Sequence, residues 1–153
     1  MPSYEIDVQI APAYAELVSA EQIVHVVQAV LEREAQPAES AVTVVITDDD
    51  EIQRLNRDYL DEDRPTDVLS FAANEGNDEG DFVIPDELES YLGDVIVSYP
   101  TALAQATERS ESVEQELALL IVHGCLHLIG YDHADDQERE AMWALQDEIL
   151  RSL

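Results

Sequence analysis

The stretch His123-Gly124-Cys125-Leu126-His127-Leu128-Ile129-Gly130-Tyr131-Asp132-His133 organises the reading of the chain. It holds three of the protein's four histidines. His123 and His127 are spaced i, i+4. Four residues of helix turn through about 400°, so both imidazoles leave one face, about one turn apart. Two side chains so placed suit one zinc ion at about 2.0–2.1 Å from each nitrogen. Gly130 is placed to end the helix in a left-handed conformation. The chain then doubles back and returns His133 to the same point. Three neutral imidazoles on one ion, with the fourth position open, is the layout of a catalytic site, because structural sites close all four positions with protein ligands. Cys125 lies about 200° round the helix from His123 and is expected to face the core.

Working outward, the segment ahead of this motif defines its carrier. Ser112 with Gln115 forms a capping box, and the helix it opens runs through His127. Leu117-Ala118-Leu119-Leu120-Ile121-Val122 makes that helix apolar all round, hence central and buried. Asp135 and Asp136 cap the last helix, whose stripe is Met142, Leu145, Ile149 and Leu153.

Towards the N-terminus, residues 4–10 alternate apolar and polar as a half-buried strand. Ser19 and Gln22 open a helix with Ile23, Val26, Val27, Val30 and Leu31 on its inner face. His25 falls off that stripe and reads as a surface residue. Residues 41–47 are apolar on both faces and read as a central strand. Thr47 to Asp50 start the next helix, where acids suit the dipole. Ile52, Leu55 and Tyr59 give its buried side. Asp67–Phe71 is a short strand, residues 73–90 an acidic, Gly-containing loop, and Leu92–Tyr99 a fourth strand. Pro100 starts a helix running to about Arg109. The early strand–helix–strand order implies parallel pairing, and the two later strands, joined without a helix, pair antiparallel. The expected fold is α+β: a mixed sheet of about four strands packed with about five helices. The metal site then sits on the central buried helix and the loop after it.

Composition narrows the function classes. At 153 residues a single domain spanning 1–153 is expected. One cysteine excludes an internal disulfide and suits a reducing cytoplasm. The N-terminus has neither a basic region nor a long apolar run, so no signal peptide and no membrane partner are expected. The formal net charge is -28, with seven basic residues, all arginine, against 35 acids. That balance repels nucleic acid and anionic membranes at low salt. It serves solubility, and it also fits a protein adapted to high salt, where self-repulsion is screened within a few ångström.

Two activities use such a metal. The zinc-protease pattern H-E-x-x-H-x-x-G-x-x-H matches at His123, His127, Gly130 and His133. Its general base does not match: position 124 is Gly where the protease needs Glu, an effect typically of about 10²–10⁴-fold. The other activity rests on a family likeness. The whole histidine stretch resembles the signature of the YbeY family, bacterial rRNA maturation factors described as zinc-dependent single-strand endoribonucleases. Leu55-Asn56, Tyr59 and Pro65-Thr66-Asp67-Val68-Leu69-Ser70-Phe71 resemble a second family motif, and Leu92-Gly93-Asp94-Val95-Ile96-Val97-Ser98 a third.

The resemblance implies one zinc ion per chain on His123, His127 and His133. It also implies hydrolytic trimming of rRNA, including the 3′ end of the small-subunit RNA, and ribosome quality control. The partners it implies are rRNA, the small ribosomal subunit and assembly proteins. One position departs from the pattern. The family usually has an arginine directly after the aromatic residue closing the second motif's helix; here it is Leu60. Arg64 in the following loop and Arg57 one turn earlier are the candidate replacements. Asp132 either orients a ligand or moves a proton, or is only a turn carboxylate. Asp94 either supports a histidine from behind or closes a strand. Ser70 either lines the cleft or faces solvent. The Leu60 departure keeps a second function open, a zinc-bearing ribosome-assembly binding factor with little nuclease activity.

Overall fold

The computed structural model of the chain describes residues 4–73, 91–131 and 135–153. Four strands form one sheet: β1 (Glu5–Ile10), β2 (Ala41–Thr47), β3 (Val68–Ala72) and β4 (Tyr91–Ser98). Their spatial order is β1-β2-β4-β3. β1, β2 and β4 run parallel, and β3 joins β4 antiparallel as an edge strand. Register slips at the start of the β2–β4 ladder, where Ala41 faces Tyr91 but Val42 faces Gly93. The helices are α1 (Ala20–Arg33), α2 (Asp49–Leu60), α3 (Tyr99–Glu108), α4 (Val113–Ile129) and α5 (Asp136–Ser152). Among the described residues this is the expected mixed sheet, with five α-helices. The acidic loop read at 73–90 lies, from residue 74 on, outside the described residues.

The helix starts follow local chemistry. Ser19, Asp48, Ser98, Ser112 and Asp135 each accept a backbone amide hydrogen bond into the first turn of the helix that follows. At Ser112 the Gln115 side chain bonds back, closing the capping box. These caps set where each helix begins, and the apolar stripes then decide which way it faces.

The sheet buries both faces unequally. On one side Val42, Val44, Val95 and Val97 meet α1 and α4 in the main core. On the other, α2 packs Ile52 against Leu69 and Ile96. α4 is the hub: it contacts β3, β4, α1, α3 and α5. Its one buried charge, Glu116, is fully covered and takes Nη1 of Arg109 on both carboxylate oxygens, at 2.6 and 2.9 Å. Even so, burial outweighs the arginine and pushes the Glu116 carboxyl above its ordinary range.

Two apolar stripes differ from expectation at their ends. Tyr59 is exposed and meets Phe71 edge-on, with ring centroids 5.5 Å apart. Leu153 is exposed as well. Both lie at the C-terminal ends of their helices. The same two helices bury amides instead, Asn56 in α2 and Gln146 in α5. Asn56 Nδ2 donates to the Arg64 carbonyl at 2.9 Å, tying down the loop between α2 and β3.

Candidate functional site

α4 carries His123 and His127 at its C-terminal end, facing edge strand β3. The rings are nearly perpendicular, with centroids 4.7 Å apart and planes at 81°. Their Nε2 atoms approach to 3.2 Å. Two nitrogens about 2.05 Å from one tetrahedral ion lie roughly 3.3 Å apart. The pair therefore fits two ligands converging on a single metal. Among the described residues no third His, Cys, Asp or Glu completes a set with them. His133, the expected third ligand, and Asp132 lie outside the described residues.

Gly130 closes α4 at φ 114°, a conformation that costs glycine little. The Gly130 amide bonds the His127 carbonyl at 3.1 Å, and the Tyr131 amide bonds the Leu126 carbonyl at 3.0 Å. This is the paired ending of a Schellman motif. The Tyr131 hydroxyl then donates to Glu34 at the end of α1, so the chain leaves the helix with its direction held.

A cleft of about 300 Å³ opens beside the histidines. Leu60, Asp67, Ser70, Ala72, His123 and His127 line it. Ser70 Oγ donates to the Gly124 carbonyl at 3.2 Å, so this serine ties the edge strand to α4 rather than facing open solvent. Asp67 accepts the Val68 amide at 2.8 Å through one oxygen and Gln105 Nε2 at 3.4 Å through the other.

Position 124 faces Val95 of β4 and is fully packed. A glutamate there has neither room nor a direction towards the cleft, which removes the protease reading. Cys125 is buried, and desolvation pushes its thiol up to about 12. It faces the core, as its helical phase required.

The arginine candidates do not reach the cleft. Arg64 is exposed and pairs with Glu62 at 3.1 Å. Arg57 pairs with Asp58 at 3.3 Å. Neither is among the described lining residues, whereas Leu60 is, half-exposed. Asp94 is a correction. Side chains alternate along a strand, and Val95 points at α4, so Asp94 points to the opposite face. There it accepts the Tyr91 hydroxyl, which lies 3.0 Å from Thr43 Oγ1. It cannot brace a histidine from that side. Burial and the neighbouring Asp94 push the Tyr91 hydroxyl up to about 12.

Two residues of the site escaped the sequence reading. Asp67 was visible inside the second motif but carried no assigned role. Gln146 gave no signal: its Oε1 lies 3.1 Å from His123 Nδ1, across 23 residues of chain.

The family model described as Endoribonuclease YbeY matches residues 9–153. The chain belongs to the YbeY family. A protein of Roseiflexus sp. named Endoribonuclease YbeY is 46% identical over 149 residues, covering 97% of this chain and 92% of its own. One of the same name from Heliobacterium modesticaldum is 48% identical over 127 residues, covering 81% and 76%. A solution structure from Thermotoga maritima aligns with TM-score 0.62 at 27% identity, covering 95% of this chain and 86% of that one. This YbeY-family chain thus shares its fold with a solved protein across nearly its whole length.

Proposed function

We propose that this chain is an endoribonuclease that cuts single-stranded ribosomal RNA during maturation, including the 3′ end of the small-subunit RNA. One zinc ion per chain, held by His123, His127 and His133, serves the reaction. The observation that carries the reading is the pair of Nε2 atoms 3.2 Å apart in the wall of an open cleft. Relatives bearing the endoribonuclease name over most of the chain support the reaction class. Residues 1–153 act as one metallohydrolase domain in the cytoplasm, on RNA presented with the small subunit and assembly proteins.

When bound, the ion supplies a Lewis acid that polarises a phosphoryl oxygen and lowers the pKa of water towards about 7. The protein's own residues do the rest. β3 forms the wall against which the RNA backbone lies. Asp67 places a carboxylate in that wall, and Asp132 stands next to His133 in the sequence; these are the two groups proposed to take up and return a proton. Among the described lining residues none is cationic, so phosphate binding leans on the metal centre and on salt screening.

The test is cleavage of a labelled single-stranded RNA by zinc-loaded protein beside a His127→Ala variant, at low and high salt. Cleavage by the wild type alone supports the proposal, and chelation then abolishes turnover. Equal cleavage by both rejects it. The presence of Leu60 in the cleft, where the family usually places an arginine, favours a second reading: a zinc-bearing ribosome-assembly factor. That protein would bind small-subunit RNA without cutting it, and chelation would lower only stability or association.

A further inference from the structure

α5 buries a stripe at Met142, Gln146 and Ile149. An amide in that row, only 8% exposed, is costly to bury unless it is hydrogen-bonded. Gln146 Oε1 lies 3.1 Å from His123 Nδ1. The amide oxygen only accepts, so the imidazole nitrogen is the donor. A neutral imidazole that donates from Nδ1 carries its lone pair on Nε2, and Nε2 is the atom that meets His127 Nε2 at 3.2 Å. The opposite tautomer loses the bond to Gln146 and turns an N–H towards the place a metal would occupy.

We infer that Gln146 is a positioning residue of the metal centre, selecting the Nδ1–H tautomer of His123 and fixing its ring plane. The inference rests on the zinc reading above. An amide suits the task because it orients the ring without adding charge. Its place on α5 also makes docking of the last helix a condition for a formed site. The two histidines on α4 are then present but not oriented until α5 packs.

Zinc affinity is measured by competition with a chromophoric chelator, and the His123 tautomer by nitrogen-15 NMR of the metal-free protein. Gln146→Leu is expected to bind zinc about ten- to a hundredfold more weakly, the usual cost of losing such a partner, and to move the His123 proton to Nε2. Gln146→Glu, which still accepts from Nδ1, restores affinity. Gln146→Asn, whose oxygen is drawn back by one methylene, does not. Should the leucine variant fail to fold, the asparagine and glutamate pair decides, and equal affinities overturn the inference. Wild-type affinity in Gln146→Leu overturns it as well, as does an Nε2 proton in the wild type. A wild type that takes no zinc, or takes it equally after His127→Ala, overturns the metal reading itself and this inference with it.

Discussion

Gly124 lies so close to Val95 that a Cβ at position 124 would stand 2.7 Å from Val95 Cγ1. It would also stand 3.0 Å from Ser70 Oγ. α4 approaches the sheet at this point because nothing projects between them, and the close approach brings His123 and His127 to the cleft wall. Gly124→Ala is expected to cost about 1–3 kcal/mol, the range for overpacking a filled core. A urea titration measures it, and an unchanged midpoint would mean that the helix can lift away freely. Gly124→Glu is expected to unfold the protein rather than to create a peptidase.

Leu60 stands half-exposed in the lining of the cleft beside His123 and His127. A hydrogen bond to a charged group contributes about 1.5–3 kcal/mol. Leu60→Arg is therefore expected to raise kcat/KM on single-stranded RNA by about ten- to a hundredfold. The gain should shrink with rising salt. If both RNA binding and cleavage stay at the wild-type level, the cleft is not where the backbone lies.

Cys125 is shielded on all sides, and its thiol is pushed from an ordinary 9.0 up to about 12. The folded-state value is the higher one, so this group's contribution to stability is complete below pH 9 and is lost as pH rises through 12. Urea midpoints for wild type and Cys125→Ala should therefore converge between pH 8 and about pH 10, the wild type losing more. Iodoacetamide should label Cys125 only after denaturation, with or without zinc. Protection by zinc in partly unfolded protein would indicate a ligand role that the fold gives no room for.

The charge of -28 should make stability depend on salt. At 1 M the screening length falls to about 3 Å. Raising potassium chloride from 0.1 M to 1 M is expected to lift Tm by at least about 3 °C, the shift that about 1 kcal/mol produces at this size. A flat or falling Tm would show that the acids are already balanced by local contacts, and the high-salt reading would fail.

Much of the molecule is written in short-range pattern. The caps at Ser19, Asp48, Ser98, Ser112 and Asp135 are residues that accept a backbone amide from within the next turn, so they can be read without knowing the fold. The i, i+4 pair His123 and His127 shares a face because of helical pitch alone. The return at Gly130 and the inward turn of Cys125 follow from the same local geometry. Strand alternation likewise separated Val95 from Asp94, but alternation names two faces without saying which one meets α4.

That choice belongs to the tertiary structure. It set Asp94 on the far side of the sheet, and it tied Ser70 to the Gly124 carbonyl. It left Tyr59 exposed against Phe71 of the edge strand, and it turned Arg64 outward while Leu60 lines the cleft. Gln146 is the clearest case: nothing near it in sequence distinguishes it from a surface glutamine, because its function lies in a hydrogen bond to an atom 23 residues away. Local sequence specifies conformations a few residues long, through propensity, caps and periodicity. Which side chains meet across elements is decided by the packing of α4 and α5 against the sheet, where contacts between distant residues outweigh any local preference.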